Sequence, residues 1–340
     1  MKADQRHSDE KLSPRAVIRR RAILAAGLGL TVPMARAQGV AAYPNRLVKM
    51  IMPTPAGSTS DVLMRFVAQH LADDLGQAVV VENVAGANGL LGTQRLARSA
   101  PDGYTIGMTS NGFQVAAPSL YKKLDFDPVD SFEHLCMVFY APLTLVARRQ
   151  IPAENLADFL KYARANPGKL SGGYFTNNTQ RCMGELKRAA KIEILSVPYK
   201  TAAQAILDMK GDRLDFAFIN PDFALAEYTS GTLKLLAIGS ATRWQLVPNV
   251  PTLLEHLPTL DQGAMISWVG LAAPAGTPKP IAARLEAAMQ RVMAKVEIKD
   301  RFRQTGIDPV FEPGAGIARR IQVEIQSFSA FAREAGIEPQ

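Results

Sequence analysis

The sequence predicts an α/β protein made of two α/β units and a helical C-terminal part. Between residues 46 and 109, short apolar runs alternate with longer amphipathic ones in β-α-β-α-β order, which is typical of a sheet with parallel strands. Near residue 142 the pattern changes, and a second series of short strands and helices follows. From about residue 279 the periodicity is mostly helical.

The elements of the first unit are predicted from apolar periodicity and from the residues that interrupt it. Pro53 and Pro55 end the first strand because proline cannot donate to a sheet, and Ser60 has the chemistry of a helix N-cap. The predicted elements are a strand at 46–52, a helix at 60–74, a strand at 78–81, a helix that follows the glycine-rich residues 86–92 and ends before 101, and a strand at 104–109.

The second unit begins with a β-rich run after Pro142, and proline–glycine pairs end its elements. We predict strands at 143–147, 171–174, 194–197, 215–219, 234–238 and 266–273, with helices at 155–166, 180–190, 202–210 and 223–230. The C-terminal helices are predicted at 279–295, 298–305 and 315–335.

Composition and charge exclude several classes of protein. The chain has 340 residues, of which 47% are hydrophobic and 21% charged, which excludes a disordered chain and a multi-span membrane protein. The formal charge of +8 is concentrated in residues 1–37, which hold eight basic and three acidic side chains. Because the remainder is only mildly cationic, we expect no nucleic-acid partner. Two cysteines cannot form a disulfide framework, and whether Cys136 and Cys182 pair stays open.

The first 37 residues are predicted to be an export signal. A basic stretch ends at Arg21, an apolar run covers 22–34, and Ala35 and Ala37 form an A-x-A cleavage site. The run is too short to span a bilayer as a permanent helix, for which about 20 residues are needed. Arg20 and Arg21 favour twin-arginine export, with the general secretory route as the alternative. The expected location of the processed protein is the periplasm.

No constellation of residues suggests catalysis. His70, His134 and His256 are far apart in sequence, and no nucleophile elbow, phosphate-binding loop or zinc motif is present. We therefore predict no enzyme activity, no metal and no cofactor. An exported hydrolase is the alternative from another class, suggested only by two α/β units with a cleft.

Donor-rich loops follow several predicted strands, which favours binding of a small ligand at the carboxyl ends of the strands. The loop before residue 61 leads into a helix N-terminus, where N–H groups lacking partners attract carboxylate or phosphate. Asp61 is expected to brace this loop from within, since a free carboxylate would repel an anionic ligand. The predicted ligand-binding residues are Pro55, Ala56, Gly57, Ser58, Thr59, Asp61, Ser110, Asn111, Thr176, Asn177, Asn178, Thr179, Asn220 and Asp222.

An ordered series of short motifs runs from Tyr43 to the C-terminal part. It includes Tyr43-Pro44, the loop ending at Asp61, Leu75-Gly76-Gln77, Pro101 to Thr105, Pro118 to Tyr121, Asn166 to Leu170, Val197 to Lys200, Pro248 to Thr252, Trp268 to Leu271 and Ala273 to Pro278. In this series the chain resembles the solute receptors of the tripartite tricarboxylate transporter family, called Bug-type receptors. The resemblance covers essentially the whole chain after the signal.

The resemblance implies a two-lobed periplasmic binding protein of type II-like fold, each lobe a mostly parallel sheet flanked by helices. One lobe would comprise residues 43–142 and 264–340, and the other residues 143–263, with hinges near 142–143 and 266–268. Such a receptor captures a small organic acid and delivers it to a two-component membrane permease. We expect a monomer. The alternative function is a receptor that is not coupled to transport and passes ligand occupancy to a sensor protein. A cytoplasmic regulator with the same fold is a further alternative. It would need a DNA-binding segment at the N-terminus, where residues 1–37 are instead predicted to be an export signal.

Departures from the family pattern fall on the predicted binding loops. Ala56-Gly57-Ser58 replaces a common Pro-Gly-Gly, Thr201 replaces a usual glycine, and Arg181 lies nearest a usual histidine. The loop from Tyr174 to Thr179 is shorter and bulkier than is usual. The identity of the acid therefore cannot be transferred from relatives.

Overall fold

The computed structural model describes residues 43–339, and the elements below lie in one compact unit of residues 44–340. The predicted signal peptide, with Ala35 and Ala37 at its cleavage site, lies outside the described residues. Within residues 43–339, no helix is both long and apolar enough to cross a membrane.

The unit contains two mixed β-sheets. The first sheet has the strand order β11-β4-β10-β3-β1-β2. Only β1 pairs in parallel, with β2 and β3, whereas β10 and β11 pair antiparallel to their neighbours. The strands of this sheet are β1 (Val48–Met52), β2 (Val79–Asn83), β3 (Thr105–Ser110), β4 (Phe132–Pro142), β10 (Ile266–Pro274) and β11 (Asp308–Pro313).

The second sheet has the strand order β7-β6-β8-β5-β9. Strand β6 is parallel to β7 and β8, and β5 is antiparallel to β8 and β9. Its strands are β5 (Thr144–Arg148), β6 (Ser171–Tyr174), β7 (Leu195–Pro198), β8 (Phe216–Ile219) and β9 (Leu233–Ile238).

The helices flank the two sheets. They are α1 (Thr59–Leu75), α2 (Leu90–Ala97), α3 (Ala117–Leu120), α4 (Leu156–Ala165), α5 (Asn177–Ala190), α6 (Ala202–Lys210), α7 (Pro221–Thr229), α8 (Lys279–Ala294), α9 (Val296–Arg303) and α10 (Gly314–Glu334). A π-helical turn, Asn111–Val115, follows β3, and short 3₁₀ helices cover Ala87–Gly89, Leu253–Glu255 and Gln262–Met265.

The predicted α/β fold is confirmed, with more antiparallel pairing than expected. Parallel pairs occur within the β-α-β series of each sheet, as the alternating pattern predicted. Strands β4, β5 and β10, which flank the places where the chain passes between the sheets, run antiparallel to their neighbours. Strand β11 was not predicted; it lies between two predicted helices and completes the edge of the first sheet.

The hydrophobic core is divided along the chain in the same way as the sheets. Two clusters of buried side chains use only residues from 143 to 265, among them Phe159 and Phe216. The other two use residues before 138 and after 267, among them Trp268 and Phe328. The lobe boundaries and the hinge motion about them stay predictions.

The chain passes between the sheets at two adjacent places. Leu143 alone separates β4 from β5, and its N–H donates to the carbonyl of Met265 at 2.8 Å, directly before β10. The carbonyl of Leu143 accepts from Gly239 N at 2.8 Å. A Cβ on Gly239 would lie 2.6 Å from that carbonyl oxygen, so a side chain there would push the crossing strands apart.

Both cysteines are unpaired and fully buried, Cys136 in β4 and Cys182 in α5. The thiol of Cys182 donates to the carbonyl of Ala264 at 3.1 Å. Burial raises the pKa of both thiols well above the usual range, so each is a small core residue.

The start of α10 approaches β4 so closely that only glycine fits. A Cβ on Gly314 would lie 1.8 Å from the carbonyl oxygen of His134, whereas a Cβ on Gly316 meets nothing within 4 Å. We expect Gly314→Ala to destabilise the protein by about 1–3 kcal/mol, the usual cost of forced backbone shifts. Gly316→Ala, on the same helix, should be neutral or stabilising by up to about 1 kcal/mol. Urea unfolding of both variants measures the difference, and equal stabilities would contradict the close contact.

His134 is a buried histidine whose ring nitrogens have no well-formed hydrogen bond among the described residues. Burial lowers its pKa to about 4, and the nearby Glu133 carboxylate and the Val129 backbone oppose this only in part. Between pH 6.5 and 4 the unfolded chain therefore binds a proton that the folded chain cannot bind. We expect the folded state to lose about 3 kcal/mol of stability through this residue as the pH falls from 6.5 to 4, and to lose none of it above pH 6.5.

Replacement of the imidazole tests this loss. The unfolding free energy of His134→Leu, followed by urea titration from pH 7 to pH 4, should fall less steeply than that of the parent. Identical pH slopes would show that His134 is not held in its neutral form.

Candidate ligand-binding cleft

The first predicted loop joins β1 to α1 and is held from within by Asp61. Ser58 is the N-cap of α1, and its hydroxyl accepts from Asp61 N at 3.3 Å. The buried Asp61 carboxylate accepts from Gly57 N at 2.9 Å, from Asn83 Nδ2 at 2.8 Å and from Arg65 Nε at 3.1 Å. The predicted bracing contact between Asp61 and a loop N–H is confirmed.

These contacts fix the charge of Asp61. Burial would raise the pKa of Asp61, but the hydrogen bonds from Arg65, Asn83 and the Gly57 N–H together hold it below its usual range. Because these partners balance its negative charge, Asp61 has a structural role in holding the loop. The N–H groups of Thr59 and Ser60, in the first turn of α1, have no partner within the helix and remain as donors.

The second loop follows β3 and contains Asn111, which is buried. Its Nδ2 donates to the carbonyl of Ile266 at 2.9 Å, and its Oδ1 accepts from Asn178 Nδ2 at 2.8 Å and Trp268 N at 3.3 Å. The hydroxyl of Ser110 accepts from Gly112 N at 3.1 Å. Asn111 was predicted as a ligand donor, but most of its hydrogen-bonding capacity is used by the protein itself.

The third loop caps α5. The Thr176 and Thr179 side chains form a reciprocal capping box, with Thr176 N donating to Thr179 Oγ1 at 2.9 Å. Their hydroxyl groups are therefore committed to the helix end rather than free for a ligand. Asn177 Nδ2 lies 3.4 Å from the carbonyl of Gly112, and Asn178 Nδ2 also donates to Ser267 Oγ at 3.1 Å.

The fourth group of predicted residues lies at the start of α7. Asp222 accepts from the hydroxyl of Thr59 at 2.6 Å, and Asn220 Nδ2 lies 3.4 Å from the same hydroxyl. Burial raises the pKa of Asp222, and the Thr59 hydroxyl and nearby backbone N–H groups only partly oppose it.

The structure thus brings the four groups together in two pairs, each joining an element of the first sheet to one of the second. Thr59 meets Asp222, and Asn111 meets Asn178. Pro55, Ala56 and Gly57 are exposed at the tip of the first loop. The loops therefore form a candidate cleft at the carboxyl ends of parallel strands.

A cavity of about 320 Å³ adjoins the second pair. Of the predicted residues only Thr176 and Asn177 line it, and sequence reasoning missed its aromatic walls. Tyr121 and Tyr199 lie in stretches that carry the family resemblance, and Tyr174 and Phe175 lie in the loop that departs from the family pattern, but no spacing pattern marked the four as facing one space. The other lining residues are Asn88, Leu120, Gln180, Ile337 and Glu338.

Among the described residues that line this cavity, none is a lysine or an arginine. An anion bound there would depend on amide groups and on the helix N-terminus at Asn177, where backbone N–H groups carry partial positive charge. Tyr199 donates to Asp208 at 2.9 Å, and burial together with that carboxylate raises the pKa of Tyr199 to about 12. In the part of the chain that the structure describes, no group of three metal-ligating side chains was found.

Arg181, at the position nearest the usual family histidine, does not line the cavity. It is buried and donates to Asp261 and to Ser327, both at 2.8 Å. Because Ser327 lies on α10 and Arg181 on α5, this residue joins helices that flank different sheets.

Two α/β lobes with loops that meet across a cleft are the architecture of periplasmic binding proteins. The family model of the tripartite tricarboxylate transporter family receptor matches residues 63–337. The chain belongs to this family, which confirms the resemblance found in its motifs. A relative from Bordetella pertussis, described as a UPF0065 protein, is 30% identical over 300 residues, which is 88% of this chain and 92% of that protein.

Solved structures agree with this assignment. The periplasmic binding protein BugD is 31% identical with a TM-score of 0.77, over 88% of this chain and 100% of BugD. Rpa4515 of R. palustris with adipate is 26% identical with a TM-score of 0.79, over 88% and 100% of the chains. MatC of Rhodopseudomonas palustris with bound malate is 28% identical with a TM-score of 0.74, over 85% and 99%.

The bracing role of Asp61 predicts a specific loss of stability. In Asp61→Asn one carboxylate oxygen becomes an NH₂ group, which donates and cannot accept, so Arg65 Nε and either Gly57 N or Asn83 Nδ2 lose an acceptor. We expect a loss of about 1–3 kcal/mol, the cost of leaving buried donors unpaired. Asp73→Asn, on an exposed face of the same helix, is the matched control and should change stability by less than about 0.5 kcal/mol. Urea unfolding at pH 7 measures both, and equal effects would contradict the bracing role.

Proposed function

We propose that this chain is an exported receptor that captures a small organic acid between its two lobes and delivers it to a two-component membrane permease. The observation that carries the proposal is the meeting of loops from both sheets at the pairs Thr59–Asp222 and Asn111–Asn178. A ligand held there would contact both lobes and would stabilise their closure.

The carboxylate would be held without a cationic side chain. The N-termini of α1 and α5 supply backbone N–H groups, and Asn177 and Gln180 supply amide donors at the cavity. Adipate and malate, the acids named with two similar structures, are both dicarboxylates. This likeness supports a small carboxylic acid as the ligand of this chain.

The proposed site comprises the predicted loop residues and the aromatic cavity beside them. The Ser58 hydroxyl, Thr176 and Thr179 would act by shaping helix ends, and Asn111 by joining the lobes. The backbone of Thr59 and Ser60 and the side chain of Asn177 would face the acid. No chemical step is proposed, and the ligand would leave unchanged.

A thermal-shift screen of the purified protein against organic acids, including malate, adipate, succinate and benzoate, tests the proposal. An acid at a hundred times its dissociation constant should stabilise the folded state by about 2.7 kcal/mol. Asn177→Ala should weaken binding of the best acid several-fold, because one neutral hydrogen bond contributes about 0.5–1.5 kcal/mol.

Asn249→Ala is the control for that variant, since Asn249 is exposed and does not line the cavity. Its affinity should equal that of the parent. If no acid raises the melting temperature, the chain is not a carboxylate receptor. If Asn177→Ala binds as tightly as Asn249→Ala, the acid lies elsewhere.

A further inference from the structure

Helices α5 and α10 flank different sheets and contact each other outside the binding loops. Side chains of α5 belong to the hydrophobic core of the second sheet, and side chains of α10 belong to that of the first. The residues in contact are Arg181 and Gly184 on α5 and Ser327, Phe328 and Phe331 on α10. None of the five lines the aromatic cavity or belongs to the predicted binding loops. The two halves of the fold therefore touch at a place that a ligand in the proposed site does not reach.

Arg181 is a buried cation with partners on both sides of this contact. Its Nη2 donates to Asp261 Oδ2 at 2.8 Å on its own side and to Ser327 Oγ at 2.8 Å on α10. Its guanidinium carbon also lies 6.0 Å from the centre of the Phe328 ring, within reach of a cation–π interaction. Burying a charge is costly unless the charge is paired and hydrogen-bonded, and here α10 supplies one of the acceptors. Separation of the helices would remove that acceptor.

The ring of Phe331 lies directly on Gly184. A Cβ on Gly184 would lie 2.3 Å from Cε2 of this ring, so a larger residue would push the two helices apart. Gly184 is in the interior of α5, where glycine is less favourable than alanine. The close approach to α10 therefore depends on a residue that weakens α5 itself.

The contact lies beside the place where the chain returns to the first sheet. Cys182, next to Arg181 on α5, donates to the carbonyl of Ala264 just before β10. On α10, Glu324 accepts from Trp268 Nε1, within β10, at 2.8 Å. Both helices are thus attached near the start of the same strand. Rotation of the two sheets about this crossing would change the separation of α5 and α10.

We propose that Arg181 and Gly184, with Ser327 and Phe331, form a latch that holds the lobes in the closed arrangement without help from a ligand. Arg181 is then a positioning residue: it sets the fraction of molecules in which the binding loops already meet. The apparent dissociation constant is the intrinsic one divided by that fraction, so the latch strengthens the binding of every acid by the same factor. The inference rests on the predicted hinge motion, and its effect on affinity also rests on the proposed function.

Small-angle X-ray scattering of the purified protein without added acid tests the latch. The parent should give the compact profile expected for this structure. Gly184→Leu should give a more expanded profile, because the new side chain and the Phe331 ring cannot occupy the same space. Gly316→Leu is the matched control on α10, since a Cβ on the exposed Gly316 meets nothing within 4 Å, and its profile should equal that of the parent.

A milder pair of variants tests the hydrogen bond of Arg181. Ser327→Ala removes the acceptor on α10 and leaves the contact with Asp261 intact. We expect the ratio of closed to open molecules to fall about tenfold, which is typical of a hydrogen bond to a charged group. The profile should therefore expand, and calorimetric titration should show the affinities of all bound acids falling by one common factor of at most about tenfold.

Ser329→Ala is the control for a merely structural effect. Ser329 lies on the same helix, and its hydroxyl is 2.8 Å from that of Ser119, on the same side of the crossing. This variant loses a hydrogen bond within one half of the fold. Its stability to urea can fall, but its scattering profile and its affinities should equal those of the parent.

The outcomes distinguish the latch from the receptor function. The latch is overturned if the parent is expanded without acid, or if Gly184→Leu or Ser327→Ala is as compact as the parent, and the receptor function then still stands. Losses of affinity in Ser327→Ala that differ from one acid to the next also overturn it, because they would mean direct contact with the ligand. If no acid binds, the receptor function fails, whereas the scattering measurements still decide the latch.

Discussion

Two backbone hydrogen bonds made by Leu143 hold the place where the chain passes between its two sheets. Its N–H is bonded to Met265 and its carbonyl to Gly239, so the outgoing strand, the returning strand and the end of β9 meet at one residue. A Cβ on Gly239 would clash with the Leu143 carbonyl and with Met265, so position 239 has no room for a residue larger than glycine. Because only these short segments carry the chain between the sheets, we expect any relative motion of the lobes to be concentrated there.

The second binding loop is attached to this crossing. Asn111 accepts from Trp268 N and donates to the carbonyl of Ile266, which are in the first residues of β10, and it also meets Asn178 of the opposite sheet. Trp268 in turn donates from Nε1 to Glu324 on α10 at 2.8 Å. A ligand that alters the contacts of Asn111 therefore acts directly on the crossing strand. Asn111 of the proposed site is hydrogen-bonded to Ile266 and Trp268 of the proposed hinge, so binding of a ligand would be coupled to closure.

The sequence predicted the order of strands and helices well, because apolar runs, proline and glycine act locally. It also predicted that Asp61 would brace its own loop, since Asp61 and the Gly57 N–H that donates to it are only four residues apart. It did not predict the antiparallel pairing of β4 and β10 or the strand β11, which depend on contacts more than a hundred residues apart. The four aromatic walls of the cavity were missed because they come from three separate segments that only the folded chain brings together. The capping box, a local feature, was also missed, so Thr176 and Thr179 were expected to be free for a ligand.

Asp61 and Asp222 show most clearly what local sequence leaves open. Each follows a strand and lies in the first turn of a helix, where a carboxylate is favoured by the helix dipole. Asp61 has an arginine, an amide and a backbone N–H as partners, which lower its pKa, whereas Asp222 has one hydroxyl from the opposite sheet and a raised pKa. The same residue type at the same kind of position therefore braces a loop in one lobe and accepts from a hydroxyl of the opposite sheet in the other. The difference comes from the side chains that the fold places opposite each carboxylate.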